Sequence, residues 1–193
     1  MQLNLNYVAD LADPPDYRDE SVVHVSDLVS RAAKLVGLPS YSSEPTEAQR
    51  NIMALGRLWE AMVRPAVKEL AESEGLQFCP KEPRVMNGVV GSLDGILIKK
   101  GEPASRTYAV VETKSRWTDS GDPRDNFRWM AQVKAYCFMS MCTRAWMPVL
   151  YLPRRGPPNA EFVLHKLEFL PHELAENWQM LIGAGRYDNT ENT

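Results

Sequence analysis

The sequence predicts one α/β domain in which a mixed β-sheet is flanked by helices. Three observations favour this fold class: helix-like apolar spacing in the N-terminal half, strand-like segments in two separate pairs, and an apolar helix-length segment between those pairs. Helices before, between and after strands are typical of a sheet covered by helices. With 193 residues, 44% of them hydrophobic, the chain can build one sizeable core.

The individual elements follow from local patterns in chain order. Apolar residues recur every three or four positions from Val25 to Val36, which predicts a helix ending at Gly37, and a longer helix is predicted between Thr46 and Gly75. After Pro83 the apolar period changes to that of strands. The later elements are two neighbouring strands over 84–100 and 106–117, a buried helix over 126–142, strands over 145–153 and 161–169, and a closing helix over 171–185.

Net charge argues against a protein that coats nucleic acid through bulk electrostatics. The formal charge is −3, whereas proteins that bind nucleic acid in this way are strongly basic. A negative total still permits a basic groove that meets phosphates beside a carboxylate-rich metal site. Whether nucleic acid is a partner therefore depends on where the basic and acidic side chains lie, and not on the net charge.

The cysteines and the N-terminus indicate a cytoplasmic protein. Cys79, Cys137 and Cys142 are odd in number and follow no CxxC spacing, so we expect neither disulfides nor a cysteine-bound metal. Residues 1–20 lack the basic and apolar regions of a signal peptide, and no apolar run reaches membrane-spanning length. We therefore expect no membrane partner.

Charged side chains follow the apolar part of the second predicted strand, AVVETKSRW. Glu112 and Lys114 are two residues apart and so share a face of the strand, with Thr113 opposite. On the preceding strand, Asp94 lies between two glycines, where missing Cβ atoms let a ligand or a backbone approach closely. If these strands pair, both carboxylates reach the same sheet end. Carboxylates beside a lysine suit a Mg²⁺ site for phosphodiester hydrolysis.

Each signal has an ordinary structural explanation when it is taken alone. An ExK sequence at a strand end is often a solvated ion pair, and Asp94 beside glycine is a common turn residue. Gln132 and Tyr136 lie one helical turn apart and could be an ordinary pair with the tyrosine in the core, while Glu60 is by default a solvated helix acid. Their joint occurrence, in this order and on these elements, favours a catalytic site.

The combination resembles a known nuclease family. Asp94 followed by Glu112-Thr113-Lys114 resembles the D…(D/E)XK signature of the PD-(D/E)XK nucleases. Upstream, GRLWE ending at Glu60 resembles the motif of a glycine followed four residues later by an acid or histidine, and QVKAY from Gln132 resembles a QxxxY motif. Both are typical of the RecB-like and lambda-exonuclease-like branch. The resemblance implies a restriction-endonuclease-like core and a metal-dependent DNA nuclease, with exonuclease action in recombination or DNA processing, of the RecB-like or phage type.

By resemblance, the cofactor is Mg²⁺ or Mn²⁺. Asp94 and Glu112 would be its principal ligands with the backbone carbonyl of Thr113, and Glu60 would complete or assist the metal shell. Many relatives carry histidine where Glu60 stands, and some carry four cysteines for an iron–sulfur cluster. The cysteine spacing here fits no such cluster, so none is expected.

The resemblance also implies roles for the remaining motif residues and a domain division. Lys114 would act on the nucleophile, and Gln132 and Tyr136 would orient water or the nucleic-acid backbone. The similarity covers roughly residues 50–170. The chain is accordingly divided into an N-terminal arm and helix (1–45), a nuclease domain (46–185) and a frayed tail (186–193).

Basic and aromatic side chains flanking these motifs are candidates for DNA contacts through phosphate pairing and base stacking. They are Arg116, Trp117, Arg124, Arg128 and Trp129. DNA is the expected partner, and relatives of the lambda-exonuclease type form rings, so a homo-oligomer or a recombination partner protein is also considered. A structure- or sequence-specific endonuclease on the same core, and a catalytically silent module that binds nucleic acid or protein, remain the alternatives.

Overall fold

The computed structural model describes residues 21–39, 46–80, 83–103, 105–116, 121–152 and 160–187. Its helices are α1 (Val25–Leu35), α2 (Glu47–Ser73), α3 (Phe127–Met139) and α4 (Pro171–Tyr187), and a short 3₁₀ helix spans Pro123–Asp125. Its strands are β1 (Val23–His24), β2 (Leu76–Pro80), β3 (Pro83–Met86), β4 (Val89–Ser92), β5 (Gly95–Lys99), β6 (Thr107–Val111), β7 (Lys114–Arg116), β8 (Arg144–Tyr151) and β9 (Glu161–Glu168). Trp117, the proposed N-terminal arm up to residue 20 and residues 188–193 lie outside the described residues.

The main sheet is mixed. β5 pairs antiparallel with β2 and β6, and β8 runs parallel to β6 and β7 and antiparallel to β9. Val111 pairs with Trp146 and Lys114 with Val149, so β6 and β7 follow the same edge of β8 at one constant register. They are one strand interrupted at residues 112 and 113. Helix α3 makes the crossover that a parallel connection from β7 to β8 requires.

Helices cover both faces of this sheet. Successive residues of a strand point to opposite faces, and along β5 Ile96 and Ile98 enter one core while Leu97 enters another. The larger core joins the sheet to α1, α3 and α4 through residues that include Leu28, Val29, Val133, Tyr136, Trp178 and Leu181. The smaller core joins it to α2 through Val63, Val67 and Ala71. The predicted α/β class with a mixed sheet flanked by helices is confirmed. No helix in the described ranges is long and apolar enough to cross a membrane.

The prediction of a single strand over 84–100 is wrong. Asn87 and Gly88 have φ values of 52° and 76°, which is the left-handed backbone that a two-residue hairpin turn requires. The segment therefore folds back as β3 and β4, which form a second sheet with β1, before β5 joins the main sheet. Strand β2, for which the sequence analysis predicted no element, forms because residues 76–80 meet the edge of β5.

The long helix α2 begins where the sequence predicts it. The Thr46 hydroxyl accepts a hydrogen bond of 3.3 Å from the Gln49 backbone N–H, and the Gln49 side chain accepts one of 2.7 Å from the Thr46 N–H. This capping box satisfies two backbone donors at the helix start. The helix continues through Pro65 to Ser73 and so carries Glu60 and Arg64 across the sheet.

Candidate active site

Strands β5 and β6 bring Asp94 and Glu112 to the same sheet end. Gly95 pairs with Val111 at the end of the ladder, so Asp94 and Glu112 each lie one residue beyond that pair. Asp94 Oδ2 accepts a hydrogen bond of 2.5 Å from the backbone N–H of Thr113. The predicted pairing of these two strands is confirmed, and it places two carboxylates beside the interruption between β6 and β7.

The two glycines that flank Asp94 let other parts of the protein approach. A Cβ atom on Gly95 would lie 2.3 Å from Phe78 Cε2 and 2.9 Å from the Cys79 carbonyl oxygen. A Cβ atom on Gly91 would lie 3.1 Å from Tyr136 Cε1. The sequence left open whether a ligand or a backbone comes close here, and in the structure strand β2 and helix α3 occupy these positions.

Lys114 lies at the centre of a hydrogen-bonded chain on the α3 side of the sheet. Its Nζ donates to Glu112 Oε1 over 2.6 Å and to Gln132 Oε1 over 2.8 Å. Gln132 Nε2 in turn donates to Tyr136 Oη over 2.9 Å. Tyr136 is only 3% exposed, so it can position Gln132 but does not reach a phosphate in solvent. The glutamine and tyrosine therefore form a hydrogen-bonded chain that ends on the lysine.

The electrostatics of the two carboxylates favour a cation. Glu112 is 3% exposed, and its Oε2 atom is buried without a hydrogen-bond partner among the described residues. Burial raises the pKa of Glu112 above its ordinary value although Lys114 opposes this. Burial, and then the neighbouring charge of Glu112, raise the pKa of Asp94 to about 8, against the opposing effects of Lys114, the Thr113 N–H and Arg64. A bound cation would stabilise both ionised forms.

Helix α2 contributes Glu60 and Arg64 on the other side of the sheet. Arg64 Nη2 donates to Glu60 Oε1 over 2.9 Å. Both side chains line a small pocket that is open to solvent, together with Asp94 and Thr113. The sequence analysis missed Arg64, although its spacing of four from Glu60 placed it on the same helix face.

Gly56, the glycine of the GRLWE segment, lies on α2 four residues before Glu60. A Cβ atom on it would lie 3.8 Å from Ser115 Oγ of β7, which is an ordinary contact. Helix α2 therefore passes over β7, but at a distance that alanine would also allow.

The donors present fit a magnesium-type ion better than a zinc-type ion. Within the described ranges, no three side chains of His, Cys, Asp or Glu lie close enough together to hold a metal. Asp94 and Glu112 can still supply two carboxylates, and the Thr113 carbonyl can supply a third oxygen. Mg²⁺ commonly takes one or two carboxylates and keeps several waters. The buried Oε2 atom of Glu112 without a partner is the observation that supports such a ligand role.

The candidate DNA-contacting residues fall into two groups. Arg116 follows Lys114 on the same face of β7, and its guanidinium carbon lies 5.9 Å from the centre of the Trp129 ring. This pair is next to the active-site lysine, because Trp129 precedes Gln132 by one turn of α3. Arg124 lies farther along the chain and pairs with Asp122 over 3.5 Å. Arg128 donates to the Pro39 carbonyl oxygen, so this arginine holds the end of the segment that follows α1.

Comparisons with known proteins give similarity at the level of structure. A protein designated SSO0001 matches with a TM-score of 0.53 and 15% identity over 92% of this chain and 83% of that chain. An alkaline exonuclease from Laribacter hongkongensis matches with a TM-score of 0.49 and 11% identity over 96% and 92% of the two chains. A phage-related exonuclease from Haemophilus somnus 129PT matches with a TM-score of 0.46 and 12% identity over 95% and 91%.

The similarity to SSO0001 shows a shared fold. Neither a protein-family model nor a curated protein matches the sequence.

Proposed function

We propose that the protein is a metal-dependent DNA nuclease of the PD-(D/E)XK superfamily, in the RecB-like or lambda-exonuclease-like branch, and that it acts as an exonuclease. The single observation that supports this most strongly is the meeting of Asp94, Glu112 and Lys114 at the interruption between β6 and β7. These are the residues whose order in the sequence resembles the family signature. Of the two residues that resemble a further family motif, Gln132 accepts a hydrogen bond from the same lysine, and Tyr136 accepts one from Gln132.

In this proposal Asp94, Glu112 and the Thr113 carbonyl hold Mg²⁺ or Mn²⁺, and Glu60 assists from α2. When bound, the ion supplies a Lewis acid that favours ionisation of water and offsets negative charge on the phosphate oxygens. The protein holds its carboxylates in a buried setting, where electrostatic interactions are stronger than in water. Hydrolysis joins the water oxygen to phosphorus and breaks the bond to the leaving sugar oxygen, which takes up a proton.

Lys114 is proposed to act on the attacking oxygen or the scissile phosphate. A lysine ammonium has three N–H donors, and Glu112 and Gln132 take two of them. The third donor can point to the reacting group while the other two keep the side chain in place. Preorganised donors of this kind stabilise charge that develops in the transition state.

DNA contacts are proposed for Arg116 and Trp129, and also for Arg124, Arg128 and Trp117. Arginines neutralise backbone phosphates, and an indole ring offers a stacking surface to a base. A homo-oligomeric ring or a recombination partner protein, and a cytoplasmic location, belong to the same proposal. Sedimentation of the purified protein with and without linear DNA measures the oligomeric state.

The proposed activity is tested with linear duplex DNA labelled at the 5′ or the 3′ end. We expect degradation with Mg²⁺ or Mn²⁺, none with EDTA, and release of label that reveals polarity. Glu112→Gln should lower the rate by at least about 100-fold, as expected when a group that stabilises transition-state charge is lost. Glu168→Gln is the matched control, because Glu168 is an exposed acid that pairs with Arg144 on the surface.

Three outcomes would change the proposal. Cutting of covalently closed circular DNA would contradict a strict exonuclease and favour the endonuclease alternative. A folded wild-type protein that binds DNA without cleaving it, with or without metal, would favour the silent binding module. Equal cleavage by wild type and Glu112→Gln would reject the site.

A further inference from the structure

Arg64 is a second cationic group beside the proposed metal site, and it approaches from the opposite side of the sheet to Lys114. It lies one helical turn after Glu60 on α2, and its side chain is 27% exposed. It lines the same pocket as Asp94 and Thr113. The walls of that pocket include the apolar side chains of Val63, Val67, Phe78 and Val111.

Resting on the nuclease function proposed above, we propose that Arg64 binds the phosphate of the DNA substrate, and that cation and phosphate together exchange the partners of the Glu60–Arg64 ion pair. Glu60 then faces the cation and Arg64 faces the phosphate. The pair holds both side chains in the pocket until the substrate arrives.

The chemistry of the guanidinium suits this role. It presents five N–H donors in a planar fork, so the same group can bond the Glu60 carboxylate before the substrate arrives and phosphate oxygens afterwards. Arginine–phosphate pairs of this kind are charge-assisted and often bidentate. The neighbouring apolar walls reduce the solvent screening of these charges.

The charges around the pocket explain why partners would exchange. Glu60 and Arg64 lie in the same pocket as Asp94 and Thr113. A divalent cation held by Asp94 and Glu112 would attract the negative charge of Glu60 and repel the positive charge of Arg64. A phosphate that enters with the cation offers the arginine an anion close by. Glu60 and Arg64 therefore respond to the same two charges in opposite directions.

The test compares Arg64→Gln with Lys68→Gln. Lys68 lies one turn farther along α2, is 63% exposed and approaches Glu72 at 4.0 Å, so its loss removes the same charge from the same helix outside the pocket. Mn²⁺ binding to the DNA-free protein is measured by calorimetry, and KM and kcat are measured on end-labelled duplex. For Arg64→Gln we expect Mn²⁺ affinity equal to or higher than that of wild type. We expect KM to rise about tenfold or more, because a charge-assisted hydrogen bond to the phosphate is lost. Lys68→Gln should match wild type in both.

The opposite pattern would overturn the inference. If Arg64 only holds Glu60 in place, Arg64→Gln should weaken Mn²⁺ binding with an unchanged KM, the result also expected for Glu60→Gln. Wild-type values in both assays would overturn it as well. Arg64→Lys, which keeps the charge without the planar fork, is the test if the glutamine variant does not fold. A raised KM with normal Mn²⁺ affinity would support phosphate binding by Arg64. A normal KM would contradict it.

Failure of the nuclease proposal gives a different result. In that case wild type itself neither binds Mn²⁺ nor cleaves DNA. If wild type does both and Arg64→Gln behaves like it, only the role of Arg64 is rejected.

Discussion

Thr113 donates its backbone N–H to Asp94 Oδ2 over 2.5 Å, which ties the carboxylate that precedes β5 to the interruption between β6 and β7. Thr113 stands between Glu112 and Lys114, so this one bond aligns acids from two strands with the lysine. Burial raises the pKa of both acids above their ordinary values, and the neighbouring charge of Glu112 raises that of Asp94 further.

The raised pKa of Asp94 predicts that the metal-free protein loses stability as pH rises. Between its ordinary pKa and about 8, Asp94 keeps its proton in the folded state and loses it in the unfolded state. The folded state then binds more protons, so the free energy of unfolding falls with increasing pH across this window. Asp94→Asn keeps an acceptor for the Thr113 N–H and removes this titration. In EDTA, we expect the variant to melt at a higher temperature than wild type at pH 8, with the difference shrinking toward pH 4.

Asp125→Asn serves as the control, because Asp125 is an exposed acid of the 3₁₀ helix. Its melting temperature should differ from that of wild type by the same small amount at both pH values. A constant difference for Asp94→Asn across the window would show that Asp94 ionises normally in the folded protein.

The contact of Gly91 with the Tyr136 ring predicts that β4 helps to position Lys114. A methyl group on Gly91 would lie 3.0 Å from Met139 Sδ and 3.1 Å from Tyr136 Cε1, so Gly91→Ala should displace the tyrosine that holds Gln132. Tyr136→Phe removes the hydroxyl that Gln132 contacts. Each change should lower kcat with little effect on KM. In the double variant the effects should be less than additive, because both act through one contact.

If the effects of Gly91→Ala and Tyr136→Phe on kcat were fully additive in the double variant, Gly91→Ala would not act through the tyrosine hydroxyl. Met139→Ala provides a second check, since it removes the other neighbour of the added methyl group. If Gly91→Ala acts only by crowding Met139, the Met139→Ala background should restore kcat completely.

The approach of β2 to Gly95 predicts a stability cost for any side chain at that position. A Cβ atom there would lie 2.3 Å from Phe78 Cε2 and 2.9 Å from the Cys79 carbonyl oxygen. Overpacking of this kind costs about 1–3 kcal/mol, so Gly95→Ala should lower the free energy of unfolding by roughly that amount in urea denaturation. Gly183→Ala is the control, because no atom lies within 4 Å of its added methyl group in α4, and alanine favours a helix by about 1 kcal/mol over glycine. A neutral Gly95→Ala would mean that β2 moves away easily.

The pairing of Arg116 with Trp129 predicts a separable contribution to DNA binding. Arg116→Gln should weaken binding and reduce the slope of log affinity against log salt by about 1, the change expected for one lost phosphate contact. Trp129→Ala should weaken binding with a nearly unchanged salt slope, because stacking releases no counterions. Binding is measured by fluorescence anisotropy of labelled DNA with Ca²⁺ in place of Mg²⁺. An unchanged slope for Arg116→Gln would place this arginine away from the DNA backbone.

Local patterns were sufficient for the helices and for the Glu112–Lys114 relationship. The capping box at Thr46 is a signal of four consecutive residues, and the strand period of two puts Glu112 and Lys114 on one side, where their side chains bond. Such features depend on neighbours in the chain. The Asn87-Gly88 pair is also a local signal, typical of a two-residue hairpin turn. Because this signal was not used, β3 and β4 were predicted as part of one strand.

Other features of the site required long-range contacts. The spacing of Gln132 and Tyr136 indicated a shared helix face, but it could not tell that the tyrosine is buried against Gly91 and acts through the glutamine. The position of Arg64 was equally hidden, because its pocket is lined by residues from α2, β2 and the β6–β7 interruption.

By itself, the sequence determined which residues could do chemistry and on which kind of element each would lie, because side-chain type and backbone period are local properties. Only the tertiary structure decided which of these residues meet. Pairing between β5 and β6 brought Asp94 to Glu112, packing of α3 brought Gln132 to Lys114, and the passage of α2 over β7 brought Glu60 and Arg64 to the same pocket. These contacts depend on strand register and helix packing across residues far apart in the chain, where burial of apolar surface outweighs local preference.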